Sequence, residues 1–455
     1  MRFTCAVFLI TILLFSCSPK IAPPPPQEPA PVTTTTPVAQ PDPLPLTPHR
    51  LDSVFLRTEE RFKDHTGFVL YDPEKQQTLY SFNADRYFTP GSNTKILTFF
   101  TALKILGDSV PALRYIDTRD SLIFWGTGDP SFLYKYVFTD DKAFSFLKNS
   151  RRPLYFSNSN FATSHFGAGW AWDDYSDYYS TERSPLPIYG NIFWAEITRS
   201  GVTVKPDYFR KHMRTGEKES RPKIERDLFT NDFVYHPPVT RRVDTLDIPF
   251  RIDAQFIATL LSDTLNRPVN TIERRLPADA KTIFSVPADS LYKVMMQESD
   301  NMIAEQLLLM CAGILSDTLQ PEIAIDYVLK NYLGDLSDEP EWVDGSGLSR
   351  YNLFTPRSIV QVWERIYHLV PRERLLPLLA TGGVNGTLKR YFKSGTPYIF
   401  GKTGSLSNNH CLSGYIITRR GKLLIFSFMN SNFTAKMSDV RKNMEDILNG
   451  IYEQY

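Results

Sequence analysis

The chain has 455 residues, 42% of them hydrophobic and 13% aromatic, with a formal net charge of +1. A polypeptide of that size and composition can bury a large core, in two or three domains. Its 51 basic and 50 acidic residues nearly cancel, so no overall field draws it to nucleic acid or to an anionic membrane surface, and neither partner is expected.

Residues 1–20, MRFTCAVFLITILLFSCSPK, carry one early arginine, an apolar run from Ala6 to Phe15, and then Ser16-Cys17. The run is too short to span a bilayer and reads as a secretory signal over 1–16. LLFSC resembles a bacterial lipobox, in which Cys17 is lipidated and becomes the first mature residue. An ordinary signal peptide that happens to contain a cysteine is the alternative. Either way the chain is exported, with a membrane as partner only through an N-terminal lipid anchor. Residues 17–49 are crowded with proline, as in APPPPQEPAPVTTTTPVAQPDPLPLTP, and lack the apolar residues of a core. This predicts an extended, semi-rigid tether of polyproline type. With Cys5 lost and Cys17 lipidated, Cys311 and Cys411 remain. They make no disulfide framework, although export permits one bond.

Leu51 to Phe62 is helix-like, and TGFVLYDPEKQQTLYSFNADRYF gives two alternating strands around an Asp-Pro turn. In TPGSNTKILTFFTALKIL the apolar residues recur at helical spacing, which places Ser92 at a helix N-terminus. Residues 108–280 change character: short strands, turns such as GTGDPSF, and the charged run RKHMRTGEKESRPKIERD. They read as an inserted, mostly β region, with the charged run a solvated loop. TPYIFGKTGSL, HCLSGYIITRR and KLLIFSFMNS then read as three strands, the last two joined at Arg420-Gly421, before a helix from about Ala435 to Tyr452. Strands at both ends with helices between predict one α+β domain, from residues 50–107 and 281–455, whose sheet is completed by distant parts of the chain.

A Ser-x-x-Lys pair alone is weak, since it recurs at Ser145/Lys148, Ser220/Lys223 and Ser290/Lys293. Only Ser92 combines a preceding strand and turn, a helix start, and an apolar face for the lysine. At i and i+3 on a helix the hydroxyl and the amine share a face and can meet. To take the proton, Lys95 must be neutral, which requires desolvation and a second cation nearby. Free N–H groups at the helix start can stabilise charge on a substrate oxygen. Taken alone, the stretch also fits a helix-capping Ser92 with Lys95 on a solvated face.

Two later stretches decide between these readings. MQESDNMIAEQLLLM holds Ser299-Asp300-Asn301, and GKTGSLSNNH holds Lys402-Thr403-Gly404. Ser299 is read as beginning an apolar helix, and Lys402-Thr403-Gly404 as ending a strand before a hairpin. Each motif has decoys, at Ser81-x-Asn83, Ser407-x-Asn409 and Lys393-Ser394-Gly395, but the ordered set has none. Ser-x-x-Lys, Ser-x-Asn and Lys-Thr-Gly in this order are the set of active-site serine penicillin-recognising enzymes.

With DGSGLSRYNLFTP (344–356), GTGDPSF (126–132), GWAWDD (169–174) and SDNMIAEQLLL, the chain resembles the D-alanyl-D-alanine carboxypeptidase/endopeptidase family, the class C low-molecular-mass penicillin-binding proteins. The resemblance runs from about residue 60 to the C-terminus, and Gly91 stands where the family often has Ala. It implies a β-lactamase/transpeptidase-like α+β domain, its central antiparallel sheet flanked by helices, with β-rich domains inserted between the first two motifs. It also implies a periplasmic enzyme with no cofactor, acting on peptidoglycan stem peptides ending in D-Ala-D-Ala and acylated by β-lactams. Position by position, Ser92 would attack the carbonyl between the two D-alanines, with Lys95 as base. Ser299 would pass the proton to the leaving D-alanine, and Asn301 would hold the substrate amide. Lys402 and Thr403 would grip the terminal carboxylate, Lys402 also keeping Lys95 neutral. Thr403, Gly404 and Ser405 would form the substrate-binding strand, with the N–H groups of Ser92 and Ser405 as oxyanion hole. Asp174, Tyr179 and Arg350 would read the diamino acid of the stem peptide, an acid and a base suiting a zwitterionic centre.

Around these residues, Trp170 and Trp172 are expected to pack, Asp344 and Arg357 to brace the active-site wall, and His410 to be a hydrogen-bonded neighbour. The seven histidines are scattered without metal-binding spacing, so no metal is expected. Two rival readings are a β-lactam hydrolase built on Tyr189-Gly190-Asn191, a Tyr-x-Asn form of the second motif, and a silent cell-wall-binding sensor.

Overall fold

Alternation around Asp72-Pro73 produces a hairpin, His65–Asp72 paired antiparallel with Gln77–Phe82. The three C-terminal runs form the strands Ile399–Leu406, Asn409–Ile417 and Leu423–Ser431. The last of these pairs with His65–Asp72, so the two ends of the chain share one sheet. With the short edge strand Ala380–Thr381 it has six strands, all antiparallel, in the order 380–381, 399–406, 409–417, 423–431, 65–72, 77–82. This computed structural model describes residues 48–137, 142–199, 201–240 and 243–455. The signal at 1–16, Cys17 and the tether as far as residue 47 lie outside the described residues. Among those described, no helix is long and apolar enough to cross a membrane.

Helices cover both faces of the sheet, which is why Leu423–Ser431 is buried along its whole length instead of alternating. One face sets Phe68, Leu412, Phe426 and Phe428 against Leu51, Phe55, Leu448 and Ile451 of the terminal helices Pro48–Phe62 and Met437–Gln454. The other sets Val69, Tyr415 and Ile425 against the helices Lys95–Ile105, Asn301–Ser316 and Pro356–Leu369. The first of these helices is buried without a break from Lys95 to Ala102. A helix enclosed on every side belongs to the core. A lysine in its first turn is therefore forced out of water.

Residues 109–287 form three further sheets. A mixed five-stranded sheet has the order Val269–Thr271, Leu154–Ser157, Leu122–Gly126, Ser109–Asp117, Lys281–Pro287. Two three-stranded sheets centre on Ile192–Thr198 and Phe233–His236. The helices Lys142–Asn149 and Ala254–Leu265 complete a second core that includes Leu147, Phe156, Phe193, Phe209 and Leu260. The sheet runs past residue 280, the expected edge of the insert, because Lys281–Pro287 pairs antiparallel with Ser109–Asp117. The charged run is not a loop throughout either. Lys223–Arg226 is a strand paired with Phe233–His236, with Ile224 and Arg226 buried. Arg226 Nη1 lies 3.1 Å from Glu182 Oε1, so a buried ion pair takes the place of solvation there.

Candidate active site

Ser92 sits in a tight turn, Gly91–Thr94, directly ahead of the buried helix. Two glycines from other segments press on this turn. A Cβ on Gly404 would stand 2.1 Å from Pro90 O, and one on Gly347 would stand 1.9 Å from Gly91 O. No other residue permits such close backbone approach. Asn93, fully buried, joins the same parts through its side chain: Nδ2 donates to Lys402 O at 2.8 Å, and Oδ1 accepts from Ser413 Oγ at 2.7 Å. The turn, the strand Ile399–Leu406 and the loop around Gly347 are thereby held together.

Lys95 Nζ, fully buried, meets three oxygens: Ser92 Oγ at 3.0 Å, Asn301 Oδ1 at 2.6 Å and Ser346 O at 2.6 Å. The last two can only accept. A neutral amine therefore places its two protons on them and turns its lone pair to the Ser92 hydroxyl. Asn301 is itself oriented, since its Nδ2 donates to Tyr179 O at 2.8 Å. Burial pushes Lys95 down to about 8, while the carboxylates of Asp344, Glu305 and Asp300 act in the opposite direction. Glu305, also buried, accepts the Ser346 N–H at 2.7 Å and so fixes the peptide whose carbonyl receives Lys95. Burial pushes Glu305 up to about 7.

Lys402 Nζ donates to Ser299 Oγ at 2.8 Å and to Thr403 O at 2.7 Å. Burial, and after it the charge of Lys95, pushes Lys402 well below the ordinary lysine range. Burial is the larger cause for both lysines, and each charge disfavours the other. Ser299 does not begin a helix. It lies two residues ahead of Asn301–Ser316 in the left-handed region, φ +64°, and Asp300 caps the helix by accepting from Ile303 N at 2.9 Å. The kink lets the Ser299 hydroxyl reach Lys402 while Asn301, in the first helical turn, reaches Lys95.

Ser92, Ser299, Asn301, Thr403 and Ser405 line one cleft of about 1110 Å³, together with Asp174, Tyr179 and Arg350. Lys95 and Lys402 lie beneath it. The first motif brings a hydroxyl and a base, the second a hydroxyl and an orienting amide, and the third a lysine and an open strand. That arrangement can deprotonate a serine for attack on a carbonyl and protonate what leaves.

The sequence pattern of the D-Ala-D-Ala carboxypeptidase 3 (S13) family matches residues 49–452. The chain belongs to this serine peptidase family. The D-alanyl-D-alanine carboxypeptidase DacB of Haemophilus influenzae is 23% identical over 426 residues, covering 83% of this chain and 88% of that one. The penicillin-sensitive carboxypeptidase A of Dictyostelium discoideum is 23% identical over 447 residues, covering 83% and 85%. The crystal structure of penicillin binding protein 4 (dacB) from Haemophilus influenzae has the same fold, with a TM-score of 0.72 at 19% identity over 88% of this chain and 99% of that one.

The cleft of the S13 enzyme has a wall built on Asp344. Its carboxylate accepts from the backbone N–H of Gly347 and Ser349, from Asn352 Nδ2 and from Trp170 Nε1, at 2.7 to 2.9 Å. Trp170 is thus anchored, whereas Trp172 does not pack: it is 76% exposed. Arg357 pairs with Asp338 through Nε at 2.6 Å. Tyr179 OH lies 3.0 Å from Asp174 Oδ1 and 2.9 Å from Asp177 Oδ2, its one proton shared between them, while Arg350 is exposed and forms no ion pair among the described residues. His410 Nδ1 lies 2.8 Å from Ser405 Oγ, and burial pushes His410 down to about 3, so it is neutral. Cys311 and Cys411 are both buried free thiols.

Tyr189-Gly190-Asn191 belongs to the insert's own architecture. Asn191 Nδ2 donates to Glu182 O and Ser184 Oγ, both at 2.9 Å, and Tyr189 OH lies 3.1 Å from Thr264 Oγ1. Neither residue lines the cleft. Sequence reasoning missed Asn93, Ser346 and Glu305 as parts of the site. The available signals were an amide inside the first motif and an acid one turn after Asn301 in an otherwise apolar helix.

Proposed function

We propose that this protein is a serine DD-peptidase that cleaves peptidoglycan stem peptides after the penultimate D-alanine, by way of an acyl-enzyme. The supporting observation is the three-oxygen environment of Lys95, which leaves a neutral amine with its lone pair on Ser92 Oγ. Lys95 takes the Ser92 proton as Oγ attacks the carbonyl carbon, and the N–H groups of Ser92 and Ser405 receive the oxyanion. The C–N bond then breaks. The leaving amine takes its proton from Ser299, held by Lys402 at 2.8 Å; the proton that Lys95 accepted restores Ser299, and Lys95 is neutral again for the hydrolysis. Water hydrolyses the ester and returns Ser92. Asn301 already commits both ends of its amide to Lys95 and Tyr179, so its main part is to orient the base, with one N–H left for the substrate.

The cleft is far larger than a dipeptide needs, which supports cleavage of cross-links as well as of free termini. Asp174, Tyr179 and Arg350, all lining the cleft, suit the ammonium and carboxylate of a diamino acid. β-Lactams would acylate Ser92 in the same way, in keeping with the penicillin sensitivity in the name of the Dictyostelium relative. The protein would act outside the cytoplasm, held by a lipid on Cys17. The test is Ser92→Ala. It should abolish release of D-alanine from a D-Ala-D-Ala peptide and covalent labelling by a fluorescent penicillin, with the melting temperature almost unchanged. Equal release by variant and wild type would refute the assignment.

A further inference from the structure

We propose that Arg441, reaching the cleft from the C-terminal helix, is a specificity residue that binds the carboxylate borne by the leaving amino acid. The inference rests on the DD-peptidase reading and adds a requirement to it. Thr403 and Ser405 alternate outward along the strand Ile399–Leu406 and line the cleft, whereas Lys402 and Gly404 are buried. Beyond Ser405 lies the Arg441 guanidinium, its Nη2 3.5 Å from Ser405 Oγ and its Nη1 3.3 Å from Tyr391 OH. The centre of the Tyr391 ring is 5.7 Å from Cζ, within reach of a cation–π contact.

Among the described residues this guanidinium has no carboxylate partner. Glu445, one turn further along the same helix, is engaged by the Phe392 N–H at 2.6 Å. The Ser405 hydroxyl is already held by His410 at 2.8 Å. Lys402 is enclosed and donates to Ser299 and Thr403 O, and burial and then the charge of Lys95 push it well below the ordinary lysine range. A guanidinium, by contrast, stays protonated at any working pH and binds carboxylates with two parallel N–H groups. A permanent cation without a counter-ion thus stands beside the strand on which the end of the substrate would lie. An amino acid leaving from Ser92 carries its carboxylate one carbon from the departing nitrogen, and that carboxylate falls to Arg441 and Thr403. Cleavage would accordingly favour leaving groups with a free carboxylate next to the scissile nitrogen, whether a terminal D-alanine or the carboxylate-bearing centre of a cross-linked diamino acid. Amidated leaving groups, and side-chain amines with no carboxylate beside them, would be disfavoured.

The test uses an N-acylated D-Ala-D-Ala peptide and its C-terminal amide, with wild type, Arg441→Gln and Arg441→Lys. The acid-over-amide ratio of kcat/KM should fall about 10- to 100-fold in Arg441→Gln, the range for losing a charge-assisted contact, and recover in part in Arg441→Lys. A ratio unchanged in Arg441→Gln overturns the proposal, because a merely structural role would slow both peptides alike. The same ratio is measured by calorimetric binding to Ser92→Ala protein with and without Arg441→Gln. If wild type releases no D-alanine the DD-peptidase reading fails, yet the binding ratio still judges Arg441 by the same criterion.

Discussion

Raising the pH from 6 to 9 should switch on acylation through one buried amine. Lys95 is pushed down to about 8 by burial, and only its neutral form can take the Ser92 proton. With that value the neutral fraction is roughly 1% at pH 6, 9% at pH 7 and 90% at pH 9, so the rate should climb about tenfold per pH unit below 8 and then level. The second-order rate constant for labelling by a fluorescent penicillin, followed by stopped flow under single-turnover conditions, isolates this step from deacylation. Stability must follow the same titration. The folded pKa lies below the unfolded value of 10.5, so between about 8 and 10.5 the unfolded chain binds the extra proton, and stability rises with pH across that window. At roughly 1.4 kcal/mol per pH unit, the gain attributable to Lys95 is about 3 kcal/mol. It should be missing from Lys95→Met when the two proteins are compared in urea at each pH. An acylation rate that is flat from pH 6 to 9, or that begins to rise only near 10.5, would mean that the amine is not desolvated as its surroundings require.

Asn93→Ala removes two buried hydrogen bonds, taking the donor from Lys402 O and the acceptor from the Ser413 hydroxyl proton, while Ser413 Oγ still accepts from Trp363 Nε1. A loss of about 2–4 kcal/mol in urea denaturation is expected, with slower penicillin labelling as the first motif loosens from the third; unaltered labelling would remove Asn93 from the site. Cys17→Ser should abolish incorporation of labelled fatty acid and release the protein from the membrane fraction, and persistence of either would count against the lipid anchor.

The hairpin at 65–82, the three C-terminal strands and the terminal helix were legible because their periodicities are local, two for strands and 3.6 for helices. The three motifs were legible for a different reason: they keep a fixed order along the chain. Local patterns could not reveal that Lys223–Arg226 is a strand, since an arginine that turns inward depends on Glu182, a partner distant in sequence. Nor could they place Ser299, which takes a left-handed backbone between the helices that end at Gln297 and begin at Asn301. Trp172 was misread as packing because aromatic composition says nothing about which face meets solvent.

By itself, the sequence determined which groups were available for the chemistry and that a helix begins beside Ser92, since both follow from residue types and spacings within one segment. Only the tertiary structure lowered the proton affinity of the two lysines, because desolvation and mutual repulsion depend on what surrounds an amine and on how near another lies. It also set Arg441 beside Ser405, 36 residues away along the chain, and left its charge facing the cleft.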